Sequence, residues 1–259
     1  MDVLKESVEV RGHRLSCKRA GEGEEMLYLH SEHDVGTWSP FLDELAGKYY
    51  VIAPEHPGFG HSERPDWIET VDDMVFYYMD LLEQLRLERV HLVGSSIGGW
   101  IAAELAIRHP ERLRSLVLIG AYGLRVKGEP YADIFALSQE KLMSMYYHTA
   151  EAVPRWNEEE LQMRLHDRRM LAQLAWRPRL YDPKLHERLA RLKVPTLILW
   201  GEEDRIAPQT LAKTYGESIP GARVEMIPEC GHLPMLEQPR KCTGAVLDFL
   251  DGLKEEDGT

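Results

Sequence analysis

The run Gly94-Ser95-Ser96-Ile97-Gly98 sets one serine between two glycines, at the end of an apolar stretch and the start of an alanine-rich one. A turn that tight between a strand and a helix has no room for Cβ atoms at its flanks, so glycine on both sides is a steric demand. Such a turn lifts the Ser96 hydroxyl above the sheet, with the backbone N–H of Ile97 facing the same space. A serine hydroxyl attacks a carbonyl only if a base removes its proton, and that base must be held in one tautomer by a third group. Two later segments supply both partners. In Trp200-Gly201-Glu202-Glu203-Asp204 a carboxylate follows a buried apolar run, and in Cys230-Gly231-His232 a histidine follows the next one. The interval from Asp204 to His232 fits one helix and one strand, which brings both to the same sheet edge. The chemistry is nucleophilic attack by Ser96, with His232 as base and Asp204 orienting it.

The elements that must position these residues are legible in the hydrophobic pattern. Six short runs, Met26–His30, Tyr50–Ala53, Val90–Gly94, Leu116–Ile119, Thr196–Trp200 and Val224–Ile227, are mostly continuous in apolar residues, as parallel strands covered on both faces require. Helical patterns lie between them near 37–47, 70–87, 97–109, 208–218 and 236–252. The alternation predicts a mostly parallel, doubly wound α/β sheet of about eight strands. Residues 6–20 alternate and predict an antiparallel edge pair. The interval 122–186 has no strand-like run; Asn157 before Glu158, Glu159 and Glu160 predicts a helix start, and Pro178 closes the stretch. This interval carries 10 Lys+Arg against 9 Asp+Glu in a chain of net charge −12. The expected organisation is therefore an α/β core of 1–121 and 187–259 interrupted by a near-neutral helical cap, 122–186, over the carboxyl edge of the sheet.

Composition excludes several classes. A chain of 259 residues with 44% hydrophobic content buries a large core. The acidic excess, with no basic run, speaks against nucleic acid or an anionic membrane surface as partner. Three separated cysteines, Cys17, Cys230 and Cys242, make neither a disulfide framework nor a zinc site. Without a signal-like start or a membrane-length apolar run, a cytoplasmic chain working as a monomer or homodimer is expected.

With Ser96, Asp204 and His232 in this order, the chain resembles the α/β-hydrolase fold superfamily, from the turn after His30 to the last helix. Pro57-Gly58-Phe59-Gly60-His61-Ser62 resembles the glycine-rich loop after that family's fourth strand. Gly201-x-x-Asp204-x-x-x-Pro208 and Gly231-His232, with Glu237-x-Pro239 beyond it, resemble its acid and histidine motifs. The resemblance implies a cofactor-free, metal-free enzyme that forms an acyl-enzyme on Ser96. It also implies an oxyanion hole from the backbone N–H groups of Ile97 and Glu32. A serine nucleophile sets the chain apart from the aspartate-using dehalogenases and epoxide hydrolases of that fold.

The chain departs from the pattern at His30-Ser31-Glu32-His33, where the family usually has His-Gly. Ser31 either turns aside or places a hydroxyl in the pocket, and a Glu32 carboxylate opposes an oxyanion unless it faces solvent or pairs with His33 or an arginine. Hydroxynitrile lyases of the fold carry a hydroxyl residue at this position, but also a lysine after the histidine, where this chain has Leu233. Carbon–carbon bond hydrolases of ring-cleavage products resemble it in the Gly-x-Ser-x-Gly-Gly elbow and in Cys230-Gly231-His232, but carry a tryptophan at that same place. Arginines around Arg177 are candidates for a substrate carboxylate. The principal expectation is cleavage of a small, mainly apolar carboxylic ester, lactone or thioester. A carbon–carbon hydrolase of diketo acids, a lyase, and a ligand receptor built on the fold remain as alternatives. Ser31, Tyr122, Trp156 and Leu233 are the pocket candidates, and Tyr131, Phe135, Met143, Tyr146, Tyr147 and Trp176 are further cap residues able to line an apolar pocket.

Overall fold

The computed structural model describes residues 2–257. Eight strands form one sheet: β1 (Leu4–Val10), β2 (His13–Ala20), β3 (Glu25–Leu29), β4 (Tyr50–Pro54), β5 (Val90–Ser95), β6 (Leu113–Ile119), β7 (Thr196–Gly201) and β8 (Arg223–Ile227). Their spatial order is β1-β2-β4-β3-β5-β6-β7-β8. From β4 to β8 all pairs are parallel, whereas β1 pairs antiparallel with β2 and β2 antiparallel with β4. The six apolar runs and the expected edge pair are thus all strands. β6 begins earlier than its apolar run: Leu113 packs into the core and Arg114 is exposed. β8 is an edge strand with Val224 exposed, so it is less buried than the inner strands.

The helices are α1 (Pro40–Leu45), α2 (Val71–Gln84), α3 (Ile97–Arg108), α4 (Gln139–Tyr146), α5 (Glu158–Ala175), α6 (Leu185–Leu189), α7 (Thr210–Ser218), α8 (Pro234–Glu237) and α9 (Pro239–Asp257). α1 packs with α9, and α2 packs with α3. The helix expected over 236–252 is divided at Pro239, which has no N–H with which to continue α8. α2 and α5 both begin with a capping box, Thr70 with Asp73 and Asn157 with Glu160.

The chain winds outward from β3 in one direction to β4, then crosses to β5 on the other side of β3. This reversal makes a crevice at the carboxyl ends of β3 and β5, where ligands bind in open α/β sheets. The loop after β3 and the turn after β5 both open into it. Between β6 and β7 the chain leaves the sheet. This segment is less helical than its sequence suggests: 123–138 is irregular, pinned by a bridge from Gly123 to Tyr181, and only α4 and α5 are regular before α6.

Candidate active site

Ser96 sits between β5 and α3 with φ +54°, the left-handed region that an L-residue enters only under constraint. The constraint is visible on both sides. A Cβ on Gly98 would stand 2.2 Å from the Leu29 carbonyl oxygen, and one on Gly94 would stand 2.4 Å from the Gly98 carbonyl oxygen. The Ser96 N–H donates to the Ile119 carbonyl at 2.9 Å, which ties the turn to β6. Ile97 opens α3, where a first-turn N–H has no acceptor inside the helix and is free for an anion.

The other two sequence candidates converge on this hydroxyl. Ser96 Oγ lies 3.0 Å from His232 Nε2, and His232 Nδ1 lies 2.7 Å from Asp204 Oδ2. The second carboxylate oxygen, Asp204 Oδ1, accepts the N–H groups of Ile206 at 2.8 Å and Ala207 at 2.9 Å, so the carboxylate cannot rotate. The acid and histidine loops touch, since a Cβ on Gly201 would fall 1.9 Å from the Gly231 carbonyl oxygen. Ser96 and His232 are wholly buried and Asp204 nearly so. Burial alone would make the His232 imidazole harder to protonate. Asp204, through charge and its hydrogen bond, outweighs that, and Glu32 and Glu237 add to it, so the pKa is raised.

In the loop after β3, Ser31 turns aside, whereas Glu32 departs from expectation. The Ser31 hydroxyl donates to Asp34 Oδ1 at 2.6 Å and accepts from the His33 N–H at 3.0 Å. It is consumed in its own loop and does not enter a pocket, which removes the feature that favoured a lyase. The Glu32 carboxylate neither faces solvent nor pairs with His33 or an arginine; it turns inward, 5% exposed. There Oε1 accepts the hydroxyls of Tyr122 at 2.7 Å and Tyr146 at 2.5 Å. Beneath this loop His30 and His56 interlock: the His56 N–H donates to His30 Nε2 at 2.7 Å, and burial pushes the His30 pKa down to about 3.

Tyr122 stacks on the His232 ring, with centroids 5.3 Å apart and planes 16° apart, and Tyr146 meets the same ring edge-on. Leu233 is buried beside His232 at the start of α8. Trp156 stands further out, stacked against His33 and under the Arg164 guanidinium. Beyond Tyr146 lies a cleft with about 20 Å³ of space for a water-sized group, walled by Glu32, His33, Leu142, Leu171, Arg164 and Arg168 among others. A larger cavity of about 400 Å³ lies outside it, away from the triad, and Arg164 borders both. Arg177 lines neither of them; it lies by Pro178 and Trp100 at another surface hollow. Of the other cap aromatics, Tyr131 packs on Tyr122, and Phe135 pairs with Trp176. Arg164 and Arg168 have no local signal in the sequence, whereas His33 appears there only as a possible partner of Glu32 and Glu237 only as part of the histidine motif.

The segment carrying α4 is tied to the histidine loop. The His232 N–H donates to the Tyr146 carbonyl at 2.8 Å, and Glu237 accepts from Gly231 N–H at 2.9 Å and His148 N–H at 2.6 Å. Among the described residues no group of three or more His, Cys, Asp or Glu side chains is placed to hold a metal ion, and no helix is long and apolar enough to cross a membrane.

A serine hydroxyl bonded to a buried histidine–carboxylate pair, at the switch point of a parallel sheet, defines a serine hydrolase. The chain belongs to the alpha/beta hydrolase fold family, whose profile matches residues 29–239. It is 32% identical to a 2-hydroxymuconate semialdehyde hydrolase of Pseudomonas sp. (strain CF600), across 92% of this chain and 91% of that protein. Among solved structures it resembles a meta-cleavage product hydrolase, with TM-score 0.79, 25% identity and coverage of 95% of this chain and 98% of that one. It also resembles a bacterial membrane phospholipase A described as a virulence factor, with TM-score 0.85, 25% identity and coverage of 97% and 87%.

Proposed function

We propose that this hydrolase cleaves a carbon–carbon bond in a vinylogous diketo acid of the ring-cleavage kind. The observation that carries this reading is the cleft wall, where Arg164 and Arg168 stand beside apolar Leu142 and Leu171. Two guanidinium groups against apolar surface suit an anionic, conjugated acid better than a plain alkyl chain. Arg164 spends Nη1 on the His33 carbonyl, and Arg168 spends Nη2 on Ile134 and Leu137, which leaves each with further N–H groups for a carboxylate. The 2-hydroxymuconate semialdehyde hydrolase relative supports the same reading. This conclusion replaces ester cleavage as the leading expectation.

A carbon leaving group departs only as a stabilised carbanion, so the dienol form of such a substrate must first tautomerise, the enol oxygen losing its proton as a proton adds at carbon, to give the keto form. His232 then takes the Ser96 proton, and Ser96 Oγ adds to the ketone beyond the chain. The N–H groups of Ile97 and Glu32 hold the oxyanion, each donor contributing about 3 kcal/mol. Collapse breaks the carbon–carbon bond, and the electron pair leaves into the conjugated keto acid as a dienolate that His232 protonates. Water, deprotonated by His232, then hydrolyses the acyl group from Ser96. One water is consumed, giving a carboxylic acid and a dienol acid.

Simple ester cleavage is the second reading. It is favoured by Leu233, which stands where ring-cleavage hydrolases have tryptophan, and by the likeness to a phospholipase A. The test is a panel holding a 2-hydroxy-6-oxo dienoic acid beside p-nitrophenyl esters of graded length, with Ser96→Ala as control. Carbon–carbon cleavage predicts loss of the dienoate chromophore at a kcat/KM above that of every ester. An intact dienoate with rapid ester turnover would make the chain an esterase. Ser96→Ala should lower kcat by about 10⁴- to 10⁶-fold on either substrate.

A further inference from the structure

Glu32 carries more than a backbone N–H. Its Oε1 is spent on two tyrosine hydroxyls, but Oε2 is buried and has no hydrogen-bond partner among the described residues. In the same cleft, His33 Nδ1 is also buried and without a partner among the described residues. His33 is neutral, since burial pushes its pKa down to about 3. Buried polar atoms are almost always satisfied, and leaving a carboxylate oxygen dry costs more than any single neutral group would. The two atoms therefore mark a place that a ligand completes. From the geometry we infer that Glu32 Oε2, with His33 Nδ1 in the same cleft, is the subsite for a hydroxyl group of the substrate.

The chemical class follows from three properties of the cleft. Its space of about 20 Å³ admits a small group such as a hydroxyl beside the two unpartnered atoms. A carboxylate offers only acceptance, so the ligand must donate. Arg164 and Arg168 on the same wall disfavour a cation, so the donor is neutral. The Tyr122 and Tyr146 hydroxyls orient the carboxylate, and because Tyr122 also neighbours the Ser96 side chain, the subsite belongs to the same active site. If the proposed reaction is right, on which this identification of the group rests, the donor is the enol hydroxyl of the diketo acid.

The test reads binding rather than turnover, in the full chain carrying Ser96→Ala. 2-Hydroxy-6-oxoheptanoate and its deoxy analogue, 6-oxoheptanoate, are titrated by calorimetry. The hydroxylated acid should bind about 10- to 100-fold more tightly, the range of one hydrogen bond to a charged group. Adding Glu32→Gln should bring the ratio close to one. The tyrosine donors hold the amide oxygen, so its NH₂ replaces the free acceptor. Equal binding of the two acids to the Ser96→Ala protein, or a preference that Glu32→Gln leaves intact, would overturn the subsite. Failure of the reaction itself has a different signature: the dienoic acid is not turned over, while the hydroxyl preference persists.

Discussion

The Tyr122 ring lies 16° from parallel to the His232 imidazole, while its hydroxyl donates to the Glu32 carboxylate at 2.7 Å. One residue thereby links the His232 imidazole to the loop after β3. The ring restricts the imidazole, and the hydroxyl holds the side chain of the residue whose N–H should face the oxyanion. The two roles separate by substitution. Tyr122→Phe keeps the stack and removes one charge-assisted hydrogen bond, so kcat/KM should fall about 10-fold with the fold intact. Tyr122→Ala removes the stack as well and should cost about 3–5 kcal/mol of stability through the cavity it leaves. Urea denaturation beside steady-state kinetics distinguishes them, and a fully active Tyr122→Phe would dissociate Glu32 from catalysis.

The raised pKa of His232 should set the acid limb of the pH profile. Proton transfer from Ser96 needs the neutral imidazole, so kcat/KM should rise with pH through a midpoint above the ordinary histidine value of about 6.5. Folding has the opposite sign. The native state binds this proton more tightly than the unfolded chain, so His232 contributes stability that is complete below the unfolded pKa and lost as pH rises through the folded one. Asp204→Asn removes the largest charge raising the pKa and should move the limb downward, with kcat falling by about 10⁴-fold through the wrong tautomer. A midpoint that does not move in this variant would separate Asp204 from the titration.

How much of this was legible beforehand depends on how local each constraint is. The turn around Ser96 was legible because Gly94 and Gly98 answer a steric demand within five residues. The carbonyls their missing Cβ atoms would strike belong to Leu29 and to Gly98 itself. Asp204 and His232 were legible because each follows an apolar strand and a glycine. Glu32 was assigned correctly to the β3 loop, but its side chain was expected in solvent or in an ion pair. Its partners Tyr122 and Tyr146 come from remote parts of the chain, so no spacing announced them. Arg164 and Arg168 were hidden for the same reason: on α5 they occupy one face of an ordinary charged helix, and only its placement over the β3 loop turns that face into a cleft wall.

The Gly98 contact makes a stability prediction. Gly98→Ala would force the new methyl against the carbonyl oxygens of Leu29 at 2.2 Å and His30 at 2.6 Å, both backbone atoms that cannot rotate away. The strand or the helix must shift, at a cost of about 1–3 kcal/mol. For a chain of this size that corresponds to a Tm lower by roughly 2–12 °C. Because the shift displaces both Ser96 and the loop after β3, activity should fall even where the variant is fully folded. Gly252→Ala, on α9 with no atom within 4 Å of the added carbon, is the comparison and should leave activity unchanged while stability rises by about 0.5–1 kcal/mol.

Glu237 joins two segments that must stay in register for the site to exist. Its two oxygens accept N–H groups from opposite sides, Gly231 in the histidine loop and His148 just past α4. Glu237→Gln can satisfy only one of them. Its NH₂ faces the other N–H, donor against donor, which leaves a half-buried amide unpaired at about 1–3 kcal/mol. The remaining tie, from the His232 N–H to the Tyr146 carbonyl, then carries the connection alone. Loosening at this point exposes the irregular stretch 147–157 before it affects the sheet, because the strands on either side of the sheet are held by their own ladders. Limited proteolysis should therefore cut Glu237→Gln within 147–157 at a protease concentration that leaves the parent chain whole. KM should rise more than kcat falls, since the triad distances do not depend on His148 while the position of Tyr146 in the cleft does. Equal proteolysis of the two proteins, or a loss confined to kcat, would mean that Glu237 acts on His232 rather than on the segment above it.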